Sequence, residues 1–379
     1  MNGLPRLNWL LLHRSLGLVC GALLAFSGLT GVLLILLGPV DHWRMSAPCK
    51  SASSLTSHQA LADSVRQRWP DAVALTLRMP AEDRLCVIAY VRTPTWRGEG
   101  RLDPATAVLV SIREAQEGMY PTLFELHASL MAGDTGKAAL AIGAGAGILL
   151  VALGTRLAWR RARGLRLSLP RKGQAPRVLL ELHTTVGLAL GALLLVSMAS
   201  GILLAWRPIT QSLDAQFTHA TSRTEAAIPQ GGDPVVARPT LDALVDAGNW
   251  QQPGARLVDI RLSAPGASSV RLRHHLEGDP HPNGQSYTWV DLETGAVTRR
   301  QRWDQGGPGA RILGWAYALH AGKLFGPTHN VVLAALGAAL FLLAASGPAA
   351  WLLKRRRRRA IAREIVPGKH SRPDPRAPT

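Results

Sequence analysis

Four long hydrophobic segments stand out from the polar stretches of the chain. They run from Leu10 to Leu37, from Ala138 to Ala158, from Val178 to Trp206 and from Val331 to Leu353. Each has about 20 residues or more, which is the length that an α-helix needs to cross the hydrocarbon of a bilayer. The pattern therefore predicts a polytopic membrane protein with four transmembrane helices, TM1 to TM4.

The first hydrophobic segment is present twice. Residues 12–34 and 182–204 align without a gap and share 12 of 23 positions, among them His13 and His183. An ionisable side chain in such an apolar helix is costly unless a partner binds it. The repeat therefore raises the question of what holds these two imidazoles.

A second, shorter repeat follows the first. FELHASLMAGDTG, which contains His127, resembles YALHAGKLFGPTH, which contains His320, and each copy runs into another apolar segment. Repeats of this kind indicate duplication. Each half then consists of a helix with a histidine, a polar insert, a second histidine and a second helix. The predicted fold is a membrane all-α four-helix bundle built from two duplicated two-helix halves.

The two polar inserts have the pattern of small α+β modules. In the first, a helical pattern at 56–69 precedes strand patterns at 73–79, 85–92 and 107–113. In the second, a helical pattern at 241–247 precedes strand patterns at 256–263, 269–275, 286–290 and 296–302. We expect one helix on a small antiparallel sheet in each insert.

The net charge of +18 is confined to three short segments. Residues 1–14, 156–177 and 354–379 hold 20 of the 43 Lys and Arg residues but two of the 25 Asp and Glu residues. The positive-inside rule assigns such segments to the cytoplasm. We therefore expect a bacterial inner-membrane protein with cytoplasmic termini and periplasmic inserts. A lipid-headgroup role for Arg355–Arg359 is favoured over binding of nucleic acid, which we do not expect as a partner.

These patterns give an order of domains. It is TM1 (1–40), the first periplasmic module (41–120), an outer histidine segment with TM2 (121–160), a basic cytoplasmic loop (161–177), TM3 (178–207), the second module (208–314), an outer histidine segment with TM4 (315–353) and a basic tail (354–379).

The three cysteines fall in different environments. Cys20 lies within the first apolar segment and is interpreted as a packing residue. Cys49 and Cys86 lie in the first insert. A disulfide between them and a pair of free thiols are both compatible with the sequence.

The histidines carry the candidate chemistry. If the halves pack about an axis along the membrane normal, His13 meets His183 near the cytoplasmic surface and His127 meets His320 near the outer surface. Two opposed neutral imidazoles are the ligands of a six-coordinate b-type haem. The pattern therefore predicts two haem b groups, with these four histidines as iron ligands, that carry electrons across the membrane.

Two other interpretations of the histidines stay open. Glycines four and eight residues after the first histidine of each half leave a smooth helix face for a macrocycle; they are Gly17, Gly21, Gly187 and Gly191. The same glycines fit a GxxxG-type helix contact in which the histidine is merely hydrogen-bonded. A zinc ion is the competing metal, although two histidines do not complete its tetrahedral site.

Further residues are weaker candidates. His329 is a fifth potential haem ligand or a substrate contact, and Arg14 and Lys323 fit either haem propionates or lipid headgroups. His274, His275 and His281 fit a metal or anion site, although a polar hairpin loop is favoured.

The motifs also resemble a known family. LHRSLG at 12–17, LHTTVG at 182–187 and LHASLMAGDTG at 126–136 are similar to motifs of the PepSY-associated transmembrane (PiuB-like) proteins. The helix-then-sheet inserts resemble PepSY modules, and the similarity covers all but the tail. Length and layout are similar to the ferrioxamine reductases of that family. The resemblance implies haem in the membrane, reduction of a ferric siderophore in the periplasm and ligand roles for the four repeated histidines. The motif has glycine where this chain has His329.

Together these features predict an enzyme, a di-haem b reductase that passes electrons to the periplasm, reduces the Fe(III) of a siderophore and releases Fe(II). No nicotinamide- or flavin-binding motif is present, so the electron donor is a separate cytoplasmic protein or a quinol. Two other classes of function stay open. One is a redox-silent accessory or transport protein for siderophore or iron uptake, and the other is a PepSY-type regulatory or assembly factor.

Overall fold

The computed structural model describes residues 8–46, 49, 55–81, 85–162, 175–206, 238–262, 268–305 and 308–365. Most of the predicted basic loop, the tail after residue 365 and the first part of the second insert lie outside these residues. The chain divides into two compact units. Unit 1 holds residues 1–29, 142–199 and 335–379, and unit 2 holds residues 30–141 and 200–334.

Within the described ranges the helices are α1 (Trp9–Ser46), α2 (His58–Arg68), α3 (Met119–Ser129), α4 (Gly133–Ala162), α5 (Ala175–Ala205), α6 (Leu241–Trp250), α7 (Pro308–His320) and α8 (Gly326–Ile365). The strands are β1 (Ala74–Arg78), β2 (Val87–Arg92), β3 (Arg97–Leu102), β4 (Leu109–Glu114), β5 (Arg256–Leu262), β6 (Ser269–His275), β7 (Ser286–Asp291) and β8 (Val297–Gln301).

Helices α1, α4, α5 and α8 are long and apolar enough to cross a membrane, which confirms the four predicted spans. Only 17 to 22% of the residues in their most apolar parts are buried within the protein, so most of these side chains need lipid around them. Helix α8 extends beyond the predicted span and includes Arg355–Arg359. Arginine is a good helix former, and nothing at the membrane boundary stops the helix.

Glycines allow close contact between the helices of unit 1. A Cβ on Gly28 of α1 would lie 2.6 Å from the carbonyl oxygen of Gly337, so α1 and α8 pack backbone to backbone there. A Cβ on Gly147 of α4 would lie 2.5 Å from the sulfur of Met198 on α5. Small residues at such crossings are typical of helix association in membranes.

The two inserts form one sheet, whereas we predicted two separate sheets. The strand order is β4-β3-β2-β1-β5-β6-β7-β8, with every neighbouring pair antiparallel. The inserts join where β1 pairs with β5, with Leu77 opposite Ile260. This pairing satisfies backbone groups that each four-stranded meander would otherwise expose along its first strand.

A single hydrophobic core lies between this sheet and helices α2 and α6, and it draws side chains from both inserts. The two helices also cap each other. The Asp242 carboxylate accepts the N–H groups of His58 and Gln59 at the start of α2, and Oε1 of Gln59 accepts the N–H of Leu241 at the start of α6. Burial acts to raise the pKa of Asp242, but these hydrogen bonds outweigh it and lower the pKa.

Strand β3 is the strand that the sequence pattern did not reveal. Its sequence, RGEGRL, has two glycines and no apolar alternation. A Cβ on Gly100 would lie 3.2 Å from the ring of Trp69, and a Cβ on Gly98 would overlap the ring of Trp96. These rings stack with centroids 5.2 Å apart. Glycine at these two positions therefore leaves room for the two tryptophan rings to pack against the strand.

Cys49 and Cys86 form a disulfide, so of the two alternatives for this pair the bonded one is correct. Both cysteines are buried, and Cys86 directly precedes β2. The bond ties the segment after α1 to the sheet. Cys20 is a free cysteine on α1.

His274 makes the stability of the sheet depend on pH. Its side chain on β6 is fully buried, and Nε2 lies 3.0 Å from Oδ1 of Asn249 on α6. Burial lowers the pKa of His274 from 6.5 to about 4. The unfolded chain therefore binds a proton that the folded chain excludes, and this group destabilises the fold progressively as the pH falls from 6.5 towards 4.

We expect His274→Gln to weaken this dependence, because glutamine can still donate to Asn249 but does not titrate. Up to ~3 kcal/mol of the acid-induced loss in the free energy of unfolding should disappear. Thermal unfolding of the detergent-solubilised chain at pH values from 7 to 4, followed by tryptophan fluorescence, measures this pH dependence of stability. His275→Gln, one position along the same strand, is the matched control. Equal pH slopes for the wild type and His274→Gln would contradict the prediction.

Paired histidines as a candidate functional site

The first histidine of each half meets its counterpart in unit 1. His13 lies near the start of α1 and His183 lies in the third turn of α5. Their ring centroids are 6.2 Å apart, and the ring planes cross at 84°. Packing of the helices thus brings together two residues that are 170 positions apart and are related by the internal repeat.

The second histidine of each half meets its counterpart in unit 2. His127 lies in the last turn of α3, and His320 is the last residue of α7. The ring centroids are 6.1 Å apart, with the planes at 34°. The two pairs therefore have nearly the same separation between rings, although one is carried by long membrane helices and the other by short ones.

Hydroxyl groups of neighbouring helices hold the Nδ1 atoms of three of these histidines. The pairs are Thr30 with His127 at 2.9 Å, Ser200 with His320 at 3.3 Å and Ser346 with His183 at 3.1 Å. A neutral imidazole that donates through Nδ1–H has its lone pair on Nε2, the tautomer that metal ligation through Nε2 requires. A hydroxyl that is hydrogen-bonded to Nδ1 also fixes the orientation of the ring.

His13 differs from the other three. The residue equivalent to Ser346 in the first half, 193 positions earlier, is Leu153, which has no hydroxyl. Nδ1 of His13 is buried and forms no hydrogen bond of ordinary geometry with the described residues. In the inner pair a hydroxyl therefore contacts only the Nδ1 of His183, whereas in the outer pair a hydroxyl contacts the Nδ1 of each histidine.

A glycine of a neighbouring helix lies behind each of the four rings. The pairs are His13 with Gly154, His183 with Gly347, His127 with Gly31 and His320 with Gly201, and a Cβ on each glycine would lie 3.0 to 3.3 Å from Cε1 of the ring. Such distances are shorter than ordinary van der Waals contact. A larger residue at any of these positions would therefore push the imidazole out of place.

The separation of the rings fits two opposed ligands of one metal ion. With a metal–nitrogen bond of about 2 Å, and about 1.1 Å from the nitrogen to the ring centre, opposed imidazoles have centroids about 6.2 Å apart. The observed separations are 6.2 and 6.1 Å. A direct N–H···N hydrogen bond of about 3 Å would instead bring the centroids to about 5 Å.

The number of ligands favours haem over zinc. Among the described residues, no group of three or more His, Cys, Asp or Glu side chains is placed to hold a metal ion. A zinc ion at either pair would therefore have only two of its usual four protein ligands. Haem iron needs only two axial ligands from the protein, because the porphyrin supplies the others. The donor set thus fits a bis-histidine haem.

The glycines singled out from the sequence lie at helix contacts. A Cβ on Gly17, Gly21, Gly187 or Gly191 would lie 3.3 to 3.8 Å from an atom of α4 or α8. The distance is tight at Gly191 and an ordinary packing distance at the other three, so all four lie against a neighbouring helix, which favours the helix-contact interpretation. The glycines that the imidazoles require are those of the neighbouring helices.

Arg14 lies beside the inner pair. Its guanidinium group stacks on the ring of Trp351, 5.1 Å from the centroid, and its buried Nε has no hydrogen-bond partner among the described residues. A buried donor without an acceptor is rare in proteins. Arg14 is therefore the cation in the described part of unit 1 best suited to a carboxylate near His13.

His329 and Lys323 have different surroundings. Nδ1 of His329 accepts the backbone N–H of Leu324 at 3.3 Å, and its ring contacts Phe325. The hydrogen bond connects the start of α8 to the turn before it, which gives His329 a local structural role. Lys323 is exposed in the same turn.

The β6–β7 loop, which holds His281, is a hydrogen-bonded turn. The Asp279 carboxylate accepts the N–H groups of His281 and Gln285, and Nδ1 of His281 accepts the N–H of Asn283. The ring of His281 stacks on Tyr317 of α7 with centroids 4.5 Å apart. This loop therefore connects the sheet to the helix that ends at His320.

Sequence reasoning found the histidines but missed the groups that position them. Thr30 and Ser200 occupy equivalent places in the first repeat, and Gly154 and Gly347 are 193 residues apart, the spacing of the second repeat. Aligning the full halves would have indicated both sets. The sequence did not indicate the contact of Tyr317 with His281, because His281 lies in an insert loop outside both repeats.

Comparison with known proteins gives a clear result for the family alone. A search of curated proteins gives no match to the chain. The comparison with protein families matches residues 10–354 to the PepSY-associated TM region. The matched stretch includes the four paired histidines, the four predicted apolar segments and the whole sheet. Because the match covers most of the chain, the protein belongs to the PepSY-associated TM family.

Proposed function

We propose that the protein is a haem b-containing reductase of the bacterial inner membrane. It moves electrons from the cytoplasm, taken from a quinol or a separate cytoplasmic donor, to the periplasm. There it reduces the Fe(III) of a siderophore by one electron and releases Fe(II). In this proposal the four spans form one duplicated bundle, the inserts are two PepSY-like modules that share a sheet, and both termini are cytoplasmic.

One observation carries the proposal. Two histidine pairs have ring separations of 6.2 and 6.1 Å, which agree with opposed ligands of one iron and exceed the separation expected for a direct hydrogen bond. His13 and His183 would hold one haem, and His127 and His320 the other. When bound, haem b supplies an iron atom that gains and loses one electron at a time.

The protein residues set the properties of each site. Thr30 and Ser200 lie 2.9 and 3.3 Å from Nδ1 of the outer histidines, where each hydroxyl would accept an Nδ1–H proton and fix the ring. Arg14 is suited to a haem propionate, since its buried Nε has no partner among the described residues. If both rings of a pair held one haem iron, no position on the iron would be left for a substrate. This favours electron transfer over activation of a bound ligand.

The disulfide supports the proposed sidedness. Cys49–Cys86 lies in the first insert, and disulfides persist in oxidising compartments such as the periplasm. The segments rich in Lys and Arg lie outside the inserts, where the positive-inside rule expects the cytoplasm. Both observations support a placement of the insert and the charged segments on opposite sides of the membrane.

Optical absorption of the detergent-purified chain tests the proposal directly. We expect a Soret band, and an α band after reduction, with two haems per chain by the pyridine haemochrome assay. Mixing the reduced protein with a ferric siderophore should reoxidise the haem while a chelator traps Fe(II). A colourless protein would instead favour the redox-silent accessory or the regulatory factor.

Replacing one histidine pair should remove about half of the bound haem. His13→Ala with His183→Ala leaves the outer pair intact, so we expect one haem per chain instead of two. The stoichiometry of haem to protein, together with rescue by added imidazole, measures this. His275→Ala, which removes a histidine outside both pairs, is the control and should retain both haems. Retention of the full complement by the double variant would show that this pair does not hold haem.

Thr30→Val should raise the reduction potential of the outer haem. The valine side chain has almost the same shape but cannot accept the Nδ1–H proton of His127, so the imidazole donates less electron density to ferric iron. We expect a shift on the order of 30 mV in one of the two redox transitions. Thr30→Ser keeps the hydroxyl and should retain the wild-type potential. Potentiometric titration followed at the α band distinguishes the variants, and equal potentials would exclude the proposed role of Thr30.

A further inference from the structure

The sheet has a second face, opposite α2 and α6, that is strongly basic. We call it the basic face; it carries Thr76, Tyr90, Glu99, Arg261, Arg271 and Trp289, which the strand register aligns on one side. Every strand except β7 presents at least one arginine on it. The carboxylates there are Glu99, Asp259 and Asp291, so arginines outnumber them.

Part of this charge is neutralised within the sheet. Asp259 lies 3.8 Å from both Arg78 and Arg273. Glu99 lies 2.8 Å from Arg113, which also contacts Asp41 of α1 at 3.0 Å. These ion pairs use two of the three carboxylates of the face and hold their arginines in place.

Four other arginines have no such partner. Arg92 lies directly opposite Arg97, and Arg261 lies directly opposite Arg271. None of the four forms an ion pair with a described carboxylate. Like charges that face each other across strands destabilise a sheet. The protein thus keeps two repulsive pairs on this face.

Arg271 is the most constrained of the four. Its side chain is half-buried and stacks on Tyr287 at 5.2 Å, and its buried Nε has no hydrogen-bond partner in the described part of the chain. Burial and the nearby charge of Arg261 lower the pKa of Arg271. Partial burial removes some of the water around this guanidinium group, so a bound anion would stabilise it.

A cavity of about 500 Å³ lies within the basic face. It is lined by short residues such as Ala74 and Thr76, by Tyr90, and by four arginines and two glutamates, which are Arg92, Arg97, Arg113, Arg261, Glu99 and Glu114. The cations therefore outnumber the carboxylates by two around the cavity. Its size is that of a small-molecule site.

Side chains of the basic face are linked to helices α1 and α7. Arg113 binds Asp41, which is on the same helix as Thr30, the hydroxyl that holds His127. The His281 loop stacks on Tyr317, one turn before His320. A molecule bound at the basic face would therefore lie on the side of the sheet linked to α1, which carries Thr30, and to α7, which carries His320.

We propose that this cavity binds a polyanionic, oxygen-rich ferric chelate of the catecholate or carboxylate class. Arg92, Arg97 and Arg261 line the cavity and hold the chelate, Tyr90 lies against its ligand groups, and Arg271 adds its charge from the position opposite Arg261. The inference rests on the proposed reductase function and names its substrate class. Guanidinium groups bind such oxygen anions through paired hydrogen bonds. A neutral or cationic chelate would not neutralise the positive charge of the two arginine pairs, so it would bind more weakly.

The test uses redox-inert gallium complexes and the full-length protein in a neutral detergent. Isothermal titration calorimetry should detect binding of tris(catecholato)gallate, which carries three negative charges, but not of neutral tris(acetohydroxamato)gallium. Arg261→Gln with Arg271→Gln should weaken binding at least tenfold. The thermal stability of this variant should be unchanged or raised, because a repulsive pair is removed.

Arg66→Gln with Arg68→Gln is the matched control. It removes the same charge from α2, on the opposite side of the sheet, and should leave binding within twofold of wild type. Equal binding of the two gallium complexes, or equal weakening by both double variants, would overturn the proposal. Loss of chelate binding in nanodiscs that contain phosphatidylglycerol would also overturn it, since the site would then be a lipid-headgroup site.

The outcomes separate this inference from the reductase proposal. Binding of the gallium anion that depends on Arg261 and Arg271, in a protein without haem, would support the anion site and overturn the reductase. Haem-bound protein that reduces ferric chelates of any charge equally, with no effect of the arginine variants, would support the reductase and overturn the anion site.

Discussion

The structure depends on how imidazole groups are satisfied inside an apolar environment. A polar ring among membrane helices is costly unless each nitrogen has a partner. Three of the histidines direct Nδ1 to a hydroxyl, and every ring faces the ring of another histidine. A glycine behind each ring leaves it the space to do so. In unit 1 these contacts connect α1, α4, α5 and α8, and in unit 2 they connect α1, α3, α5 and α7.

Duplication explains why the contacts occur in sets. A pair of equivalent side chains needs the same residue twice, and a repeated half supplies each histidine together with the glycine behind it. Gly31 and Gly201 follow the spacing of the first repeat, and Gly154 and Gly347 follow that of the second. Departures from the symmetry then mark specialisation. Leu153 replaces the hydroxyl of Ser346 at the inner pair, and His329 replaces Gly136 where the turn before α8 is closed by a hydrogen bond.

The sequence predicted the features that depend on a local pattern of apolar residues or on the internal repeat. The four spans follow from uninterrupted apolar length, and the histidine pairs follow from the alignment of the halves. The pairing of β1 with β5 joins strands almost 200 residues apart, and no local pattern encodes it. Strand β3 was hidden because Trp69 and Trp96 cover glycines where side chains would otherwise alternate. The Nδ1 partners required knowledge of which helices are neighbours, which the repeat indicates but the hydrophobic pattern does not.

The basic face and the outer histidines suit each other energetically in the proposed reaction. A chelate that carries several negative charges gains one more when its iron accepts an electron. Arginines that hold the oxidised complex therefore hold the reduced complex more strongly, because Coulomb attraction grows with the charge of the ligand. In this proposal, binding beside Arg261 and Arg271 would make the chelated iron easier to reduce than it is in water. Hard oxygen donors bind Fe(II) far less tightly than Fe(III), so the metal can then leave while the anionic ligand is still held. A neutral chelate would lose this advantage at the reduction step as well as at binding.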